Sequence, residues 1–264
     1  MSTINIFQIS FEIWGCIISI IVCILLGTAS FSKKDAVGNK IRRMILINNF
    51  ILVSDALAYI YRGDLTPMGC AFTRISNFVM FALQYILLAL ISDYAKHIIA
   101  KNKSKSTWWD YLAFSLLFIA FIGLVITQLT GWYYSFDDTN HYQRENGIWI
   151  SFAICGLVLL LCCVRLCLNR KNLSQSEKST FMMCVVISLI CIVVQFVFYG
   201  LSLINTGITI SLLLMYFRHI KSRYDTYMDN CIEEAIRDTK ALCERSVSLC
   251  TKQAGEVQYE ENKE

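Results

Sequence analysis

Proline, histidine and charged side chains are scarce in this sequence. Pro67 is the one proline among 264 residues, there are three histidines, and charged residues make up 17% of the chain, against about 25% in an average soluble domain. The mean hydropathy is +0.51, and the charges form short clusters between long apolar runs. This composition argues against an ordinary soluble domain and is typical of a polytopic membrane protein. Because Pro67 lies in a predicted loop, the helices are expected to be mostly unbroken, unlike those of many transporters.

Recognisable catalytic motifs are also missing. The sequence has no G-x-S-x-G, P-loop or H-E-x-x-H motif, and His97, His141 and His219 are scattered along the chain. Residues 179–217 lack the lysine that a retinal protein needs in its last span. The twelve cysteines lie mostly in apolar runs, where Cys behaves as a small hydrophobe. We therefore expect no enzymatic activity, no catalytic or metal-ligating residues, no cofactor, no disulfide framework and no nucleic-acid partner.

Seven apolar windows are present, each of about the 20 residues that a membrane-spanning helix needs. A short polar turn at residues 205–207 is expected to separate the last two. The predicted fold is therefore all-α, a seven-transmembrane helix bundle over residues 1–220. The predicted spans are 7–31, 43–61, 73–95, 107–129, 147–168, 179–199 and 201–218.

The basic residues of the loops indicate the orientation of this bundle. Lysine and arginine cluster after spans 1, 3, 5 and 7, as in "KKDAVGNKIRR" and "KHIIAKNKSK". The opposite loops carry only Arg62, Arg74 and Arg144. The positive-inside rule then places the N-terminus outside and the C-terminus in the cytosol. The chain is predicted to be a multi-pass protein of the cell membrane, with the lipid bilayer as its surroundings.

A helical pattern continues beyond the last predicted span. Apolar or small residues recur at near-helical spacing, which predicts a cytosolic juxtamembrane helix over 221–250. Two interpretations of this helix stay open, a helix lying at the lipid surface and a short coil that forms a homodimer through 232–250. The acidic end, residues 251–264, is expected to be disordered. The recurring positions are Ile232, Ile236, Thr239, Cys243, Val247 and Cys250.

Asp55 is an acidic residue inside the second predicted span. An ionised side chain in hydrocarbon costs roughly 2.5–3.5 kcal/mol, so Asp55 must face protein or water. Helical spacing places polar residues of span 2 on one face and polar residues of span 3 on another. We predict that Asp55 accepts a hydrogen bond from Asn77 or Arg74, directly or through water. This cluster can join helices, border an outward-facing sensing cavity, or form a proton or cation pathway. The candidate residues are Asn48, Asp55, Tyr59, Arg74, Asn77 and Gln84.

Two further polar features allow several interpretations. The loop 131–147 is aromatic and acidic. Its aromatic residues Trp132, Tyr133 and Tyr134 suit an interfacial belt, which we favour over a cap on a cavity, and a metal at Asp137, Asp138 and His141 is a minor alternative. At the far end of span 3, Asp93 is expected to form an interfacial charge pair with Lys96 or His97.

The segments "NNFILVSDALAYIYRGD" and "TRISNFVMFALQYILLALISDY" resemble the N-terminal seven-helix sensory regions of many Firmicutes signalling proteins. The similarity covers residues 45–95 and includes an Asp-containing second span rich in Asn. It also includes the Arg-x-x-Asn-Phe start of the third span, here Arg74, Asn77 and Phe78. In such proteins a histidine kinase or diguanylate cyclase domain usually follows. No motif of either output domain occurs in the sequence, so the resemblance implies either a sensor that acts through a separate kinase or cyclase, or a truncated relative of such proteins.

These observations predict a bacterial seven-helix membrane sensor, a signal-transduction module without its own catalytic domain. The alternative is a transporter or channel that uses Asp55 as an intramembrane proton or cation site. A membrane enzyme acting on lipid is a third alternative, for which no set of catalytic residues is recognisable.

Overall fold

The computed structural model describes residues 3–28, 36–100, 108–169, 175–197 and 203–261. Within these ranges seven helices each coincide with a predicted apolar window, so the all-α expectation is confirmed. Five of them, α1 to α5, are long and apolar enough to cross a membrane, which indicates a membrane-embedded protein. The helices are α1 Thr3–Thr28, α2 Ala36–Ile60, α3 Pro67–Ala100, α4 Trp108–Thr130, α5 Ile148–Leu168, α6 Gln175–Val197 and α7 Leu203–Glu261.

Helix α2 lies at the centre of the packing. It packs against α1 on one side and α3 on the other, and α3 also contacts α4 and α5. Of the apolar window in α2, 56% is buried inside the protein, compared with 22% in α1. A helix surrounded by protein can carry polar side chains that lipid would not accept. This position explains why α2 holds Asn48, Asn49, Ser54 and Asp55 among its buried residues.

Thr66 and Pro67 form the N-terminal end of α3, directly after the turn that follows α2. Pro67 is the first residue of α3 and not a loop residue, a position where its missing N–H is harmless. The hydroxyl of Thr66 accepts a hydrogen bond from the N–H of Gly69 at 3.0 Å, as an N-cap residue does. Gly63, in the turn, has a φ of 83°, which glycine adopts without strain. A Thr-Pro pair therefore fixes where α3 begins.

A short β-hairpin joins α4 to α5 and was not predicted. Strand β1, Tyr134–Phe136, pairs antiparallel with β2, Tyr142–Arg144, with Ser135 opposite Gln143. Asn140 in the connecting loop has a φ of 55°, a left-handed conformation that Asn tolerates better than most residues. The strands have three residues each, which is too short for an alternating pattern to be recognised.

The last helix differs from the prediction in two ways. Residues 205–207 lie inside α7, so the predicted polar turn there is wrong; the end of the sixth predicted span, at 198–199, lies outside the described residues. The chain divides into a unit ending at Arg218 and a second unit from His219. In the second unit the helix continues to Glu261, which includes most of the stretch expected to be disordered.

Candidate functional site

Asp55 is held by a residue of α7. Its Oδ2 accepts a hydrogen bond from Nδ2 of Asn205 at 2.6 Å, and both side chains are buried. Oδ1 of Asn205 in turn accepts from Nε2 of Gln84 at 3.0 Å. One amide therefore joins α2, α3 and α7. Asn77, one of the two predicted partners of Asp55, donates to the carbonyl of Thr73 in its own helix. Asn205 was not among the predicted partners, and the predicted contact through water stays a prediction.

A second carboxyl group, Glu12 of α1, lies beside Asp55. Glu12 is fully buried, its Oε1 accepts from Gln8 at 2.6 Å, and its carboxyl is close enough to the Asp55 carboxyl to interact with it electrostatically. Among the described residues Oε2 of Glu12 has no N–H or O–H donor. Two carboxyl groups bond to each other when one of them carries a proton. Glu12 was not among the predicted site residues, although an acid in an apolar run with Gln four residues before it indicates a buried polar contact.

Asn48 also contacts α7 but lies apart from Asp55. Its Nδ2 donates to the hydroxyl of Thr209 at 2.8 Å, and that hydroxyl donates to the carbonyl of Asn205. Asn48 and Asp55 therefore fix the same stretch of α7 from two positions on α2. Polar residues spaced along one face of a helix are typical of helix–helix hydrogen bonding in membranes.

Asp55 forms part of the wall of a small cavity between α2, α3 and the hairpin. Its volume is about 90 Å³, which is enough for several water molecules or a small polar group. Four of the predicted candidate residues border it, namely Asp55, Tyr59, Asn77 and Gln84. Other residues lining it come from the turn after α2 and from strand β2, and these are Arg62, Tyr142 and Arg144.

The hairpin packs onto the bundle and closes one side of this cavity. Tyr133 and Tyr134 are each only 2% exposed, and the ring of Tyr134 stacks on Phe81 of α3 with centroids 5.4 Å apart. The hydroxyl of Tyr134 accepts a hydrogen bond from Gln128 at 2.9 Å. The predicted aromatic belt is therefore wrong for these two tyrosines, and only Trp132, 43% exposed, suits it.

Asn140 attaches the hairpin loop to the turn between α2 and α3. Its Nδ2 donates to the carbonyl of Asp64 at 2.9 Å and contacts the hydroxyl of Thr73 at 3.1 Å and the carbonyl of Tyr61 at 3.3 Å. The backbone carbonyl of Asn140 accepts from Gly63. The loop that covers the cavity is thereby fixed to the helix that supplies Asp55.

Asp137 organises the tip of the same loop. The backbone N–H of His141 and the hydroxyl of Thr139 hydrogen-bond to its carboxylate and lower the pKa of Asp137 to about 2. His141 Nδ1 lies 2.9 Å from the carbonyl of Thr139. Among the described residues no cluster of three His, Cys, Asp or Glu side chains is arranged to hold a metal. The geometry here is that of a capped turn.

Arg74 lies outside the cavity. Its guanidinium carbon is 5.7 Å from the ring centroid of Phe136 in the hairpin, a cation–π contact. Of the six candidate residues, the structure therefore brings four to the cavity wall. It places Asn48 at a separate contact with α7 and Arg74 against the hairpin.

A second polar cluster lies at the opposite end of the bundle, where α2 begins and α3 ends. Asp110 of α4 and Arg165 of α5 form a buried ion pair at 2.5 Å, and Lys96 is 3.7 Å from the same Asp110. Asp93 pairs with Lys40 at the start of α2, so its predicted pairing with Lys96 or His97 is wrong. The Asp110–Arg165 pair was not predicted, since its members are 55 residues apart in the sequence.

The geometry defines a coarse class of protein, a membrane-embedded helical bundle with a small polar cavity under a hairpin. No family model matches this chain, and searches of curated proteins and of solved structures also found no match. The geometry and chemistry of the site are therefore the basis for a functional proposal. Chemically, the site offers carboxyl, amide and guanidinium groups beside a small volume, which suits reversible binding of a small polar group.

Proposed function

We propose that this chain is a seven-helix bacterial membrane sensor whose sensing site is the cavity beside Asp55. The observation that carries the proposal is the position of Asn205, which hydrogen-bonds to Asp55 and Gln84, two residues of the cavity wall. A change in the cavity that moves either residue must alter a hydrogen bond of α7. In a sensor, a ligand acts by favouring one of two such arrangements.

The proposed topology has seven spans, with the N-terminus outside and the C-terminus in the cytosol. It adds α6 and the part of α7 up to Arg218 to the five apolar helices. Its support is the distribution of basic residues. The end of the bundle with Lys40, Lys96 and Arg165 adjoins the Lys- and Arg-rich loops, which the positive-inside rule assigns to the cytosol. The cavity and hairpin then face outside.

The proposed output is the exposed helix after His219. Its apolar side chains include Ile232, which is 53% exposed, and Leu242, which is 66% exposed. Apolar positions at helical spacing suit pairing with another helix, and a homodimer through 232–250 is the first partner we propose. The resemblance of residues 45–95 to Firmicutes sensory regions supports a separate histidine kinase or diguanylate cyclase as the next component. The chain itself is assigned no reaction.

Cysteine crosslinking in native membranes tests this proposal. Single cysteines are placed at Ile232, Ile236, Leu242 and Val247 in a background without other cysteines, with and without Asn205→Ala. We expect dimer crosslinks at some positions, with yields that change at least threefold in Asn205→Ala because α7 loses its hydrogen bonds to Asp55 and Gln84.

The matched control is Ser151→Ala, which removes the buried hydrogen bond to Tyr85 of α3 and leaves Asn205 untouched. Its crosslinking pattern should equal that of the parent chain. Absence of dimer crosslinks at every position, or an identical pattern in Asn205→Ala, would contradict the proposed sensor.

A proton-coupled transporter is the second candidate, and the Glu12–Asp55 contact favours it. Two buried carboxyl groups that share a proton are suited to taking up and releasing one. Reconstituted in liposomes with a pH gradient, such a transporter would show proton flux that disappears in Asp55→Asn. A sensor would show no flux in either form.

A further inference from the structure

A second, more apolar chamber adjoins the cavity beside Asp55. Its volume is about 120 Å³, and it shares Gln84, Arg144 and Phe152 with the first chamber. The remaining wall is largely aliphatic and includes Leu87 and Ile91 of α3. Because the two chambers share these wall residues, a polar compartment lies beside an apolar one. A ligand that fills both must have a polar end and a short apolar end.

The polar chamber carries more positive than negative charge. Arg62 and Arg144 line it, and both are close enough to Tyr59 to act on its phenol electrostatically. The acidic side is Asp55. The charged groups in the described wall of this chamber are therefore two guanidinium groups and one carboxyl group. This balance favours a monoanion.

Arg62 has unused capacity to bind such an anion. Its Nε is buried and makes no hydrogen bond to any described residue. Guanidinium groups bind carboxylates through pairs of parallel N–H bonds. A buried N–H without an acceptor is unfavourable, so a carboxylate in the polar chamber would satisfy it.

We propose that the two chambers bind a small carboxylic acid, its carboxylate against Arg62 and Arg144 and its short alkyl chain in the apolar chamber. The signalling role of this ligand rests on the proposed sensing function. The binding itself does not depend on that function. With about 30 Å³ for each water-sized group, the apolar chamber has room for a chain of about four carbons. Butanoate to hexanoate fit, and dodecanoate is too long.

Direct binding to the full chain in phosphatidylcholine nanodiscs tests the ligand class. Acetate, hexanoate and dodecanoate are titrated by calorimetry beside hexanol and hexylammonium, which have the same chain with a neutral or cationic end. We expect hexanoate to bind at least tenfold more tightly than hexanol, hexylammonium and acetate. Equal binding of hexanol or hexylammonium would overturn the proposal.

Titration with dodecanoate tests whether the ligand comes from the membrane or from solution, because dodecanoate partitions into the bilayer. The chamber volume predicts that it does not displace hexanoate. Displacement by dodecanoate would overturn the assigned ligand size and the soluble source.

Arg62→Gln tests the anchoring of the carboxylate. It should weaken hexanoate binding about tenfold or more, with partial recovery in Arg62→Lys, which restores the charge but not the paired donors. The matched control is Arg43→Gln, an exposed arginine at the other end of α2, which should leave the affinity unchanged. Monodisperse elution of each variant on size exclusion shows that the fold is retained. Unchanged affinity in Arg62→Gln would overturn the assigned anchor.

Gly156→Leu tests the apolar chamber. Gly156 lines it, and a Cβ built there meets no atom within 4 Å, so a larger side chain can occupy the chamber without a clash at its first carbon. We expect Gly156→Leu to weaken hexanoate at least tenfold and to leave acetate unchanged. Unchanged hexanoate affinity in this variant would overturn the assigned chamber.

The binding and crosslinking experiments can fail independently. If hexanoate binds through Arg62 but leaves the crosslinks along 232–247 unchanged, the ligand class stands and the sensor fails. If crosslinks change with Asn205→Ala while hexanoate does not bind, the sensor stands and the ligand class fails.

Discussion

At the scale of single residues, Glu12 and Asp55 form the most unusual pair in the bundle. Each is buried, and each is also held by an amide, Gln8 for Glu12 and Asn205 for Asp55. We infer that the two carboxyl groups share a proton, which would satisfy most of the oxygens that these amides leave. Removal of one member would then leave the other carboxyl group buried without that partner.

Substitution of Glu12 tests the shared proton. Glu12→Gln puts an amide N–H where the proton lies, so the free energy of unfolding should change by less than about 1 kcal/mol. Glu12→Leu leaves Asp55 without this partner and should lower it by about 1–3 kcal/mol. Unfolding in mixed micelles measures both. Equal stability of the two variants would show that the carboxyl contact is absent.

The polar contacts of Asp55 were only partly predictable from the sequence. Helical spacing correctly indicated that Asp55, Tyr59, Asn77 and Gln84 face a common space, because the period of a helix is fixed by local geometry. The hydrogen bond from Asn205 could not be inferred in the same way. It joins residues 150 positions apart, and nothing in the local pattern specifies which helices become neighbours.

At the scale of secondary structure, the hairpin between α4 and α5 determines how closed the cavity is. Two of its aromatic side chains are buried, and Asn140 attaches its loop to the α2–α3 turn. Gly123 of α4 allows this packing, since a Cβ at this position would meet the hydroxyl of Tyr133. The hairpin is therefore a fixed part of the bundle and not a loose connection.

Asn140→Asp tests this attachment. The carboxylate tolerates the left-handed conformation but has no N–H to donate to Asp64, so local opening of the hairpin should become easier by about 1–3 kcal/mol. Hydrogen–deuterium exchange of residues 134–144 measures the change. Asn146→Asp, an exposed position next to the hairpin, is the control and should exchange like the parent. Equal protection in both variants would contradict the role of Asn140.

The helices could be predicted from the sequence, whereas the packing of the hairpin could not. The five apolar helices α1 to α5 each overlap a predicted span, because long apolar runs with few charges are a strong local signal. Helix α7 instead continues far beyond its predicted span. Tyr133 and Tyr134 were predicted to belong to an interfacial belt because they are aromatic residues in a loop next to a span. Their burial depends on Gly123 and Phe81, which belong to other elements.

At the scale of the whole molecule, the bundle is held at its two ends by different interactions. The hairpin end relies on neutral amides and aromatic packing, while the other end relies on the ion pairs Asp110–Arg165 and Lys40–Asp93. The first pair is buried and the second is partly exposed. Buried and exposed ion pairs respond very differently to the loss of one partner.

Loss of Arg165 should therefore destabilise the whole bundle. Arg165→Met removes the 2.5 Å ion pair of the buried Asp110 and leaves the longer contact to Lys96, which should lower the free energy of unfolding by about 3–5 kcal/mol. Lys40→Met, in the partly exposed pair, is the matched control and should cost less than about 1 kcal/mol. Unfolding in mixed micelles compares the two. The double variant Asp110→Leu with Arg165→Met should regain most of the loss, since no buried charge is left over.

The carboxyl pair also bears on how the protein is made. Helices α1 and α2 are synthesised well before Asn205, so Asp55 reaches the membrane before its partner on α7 exists. An unaccompanied aspartate would oppose insertion of α2 by roughly 2.5–3.5 kcal/mol. Glu12 precedes Asp55 in the chain and lies on the helix that packs against α2. We expect pairing of the two carboxyl groups to lower this cost while α1 and α2 enter the bilayer, before Asn205 of α7 is made.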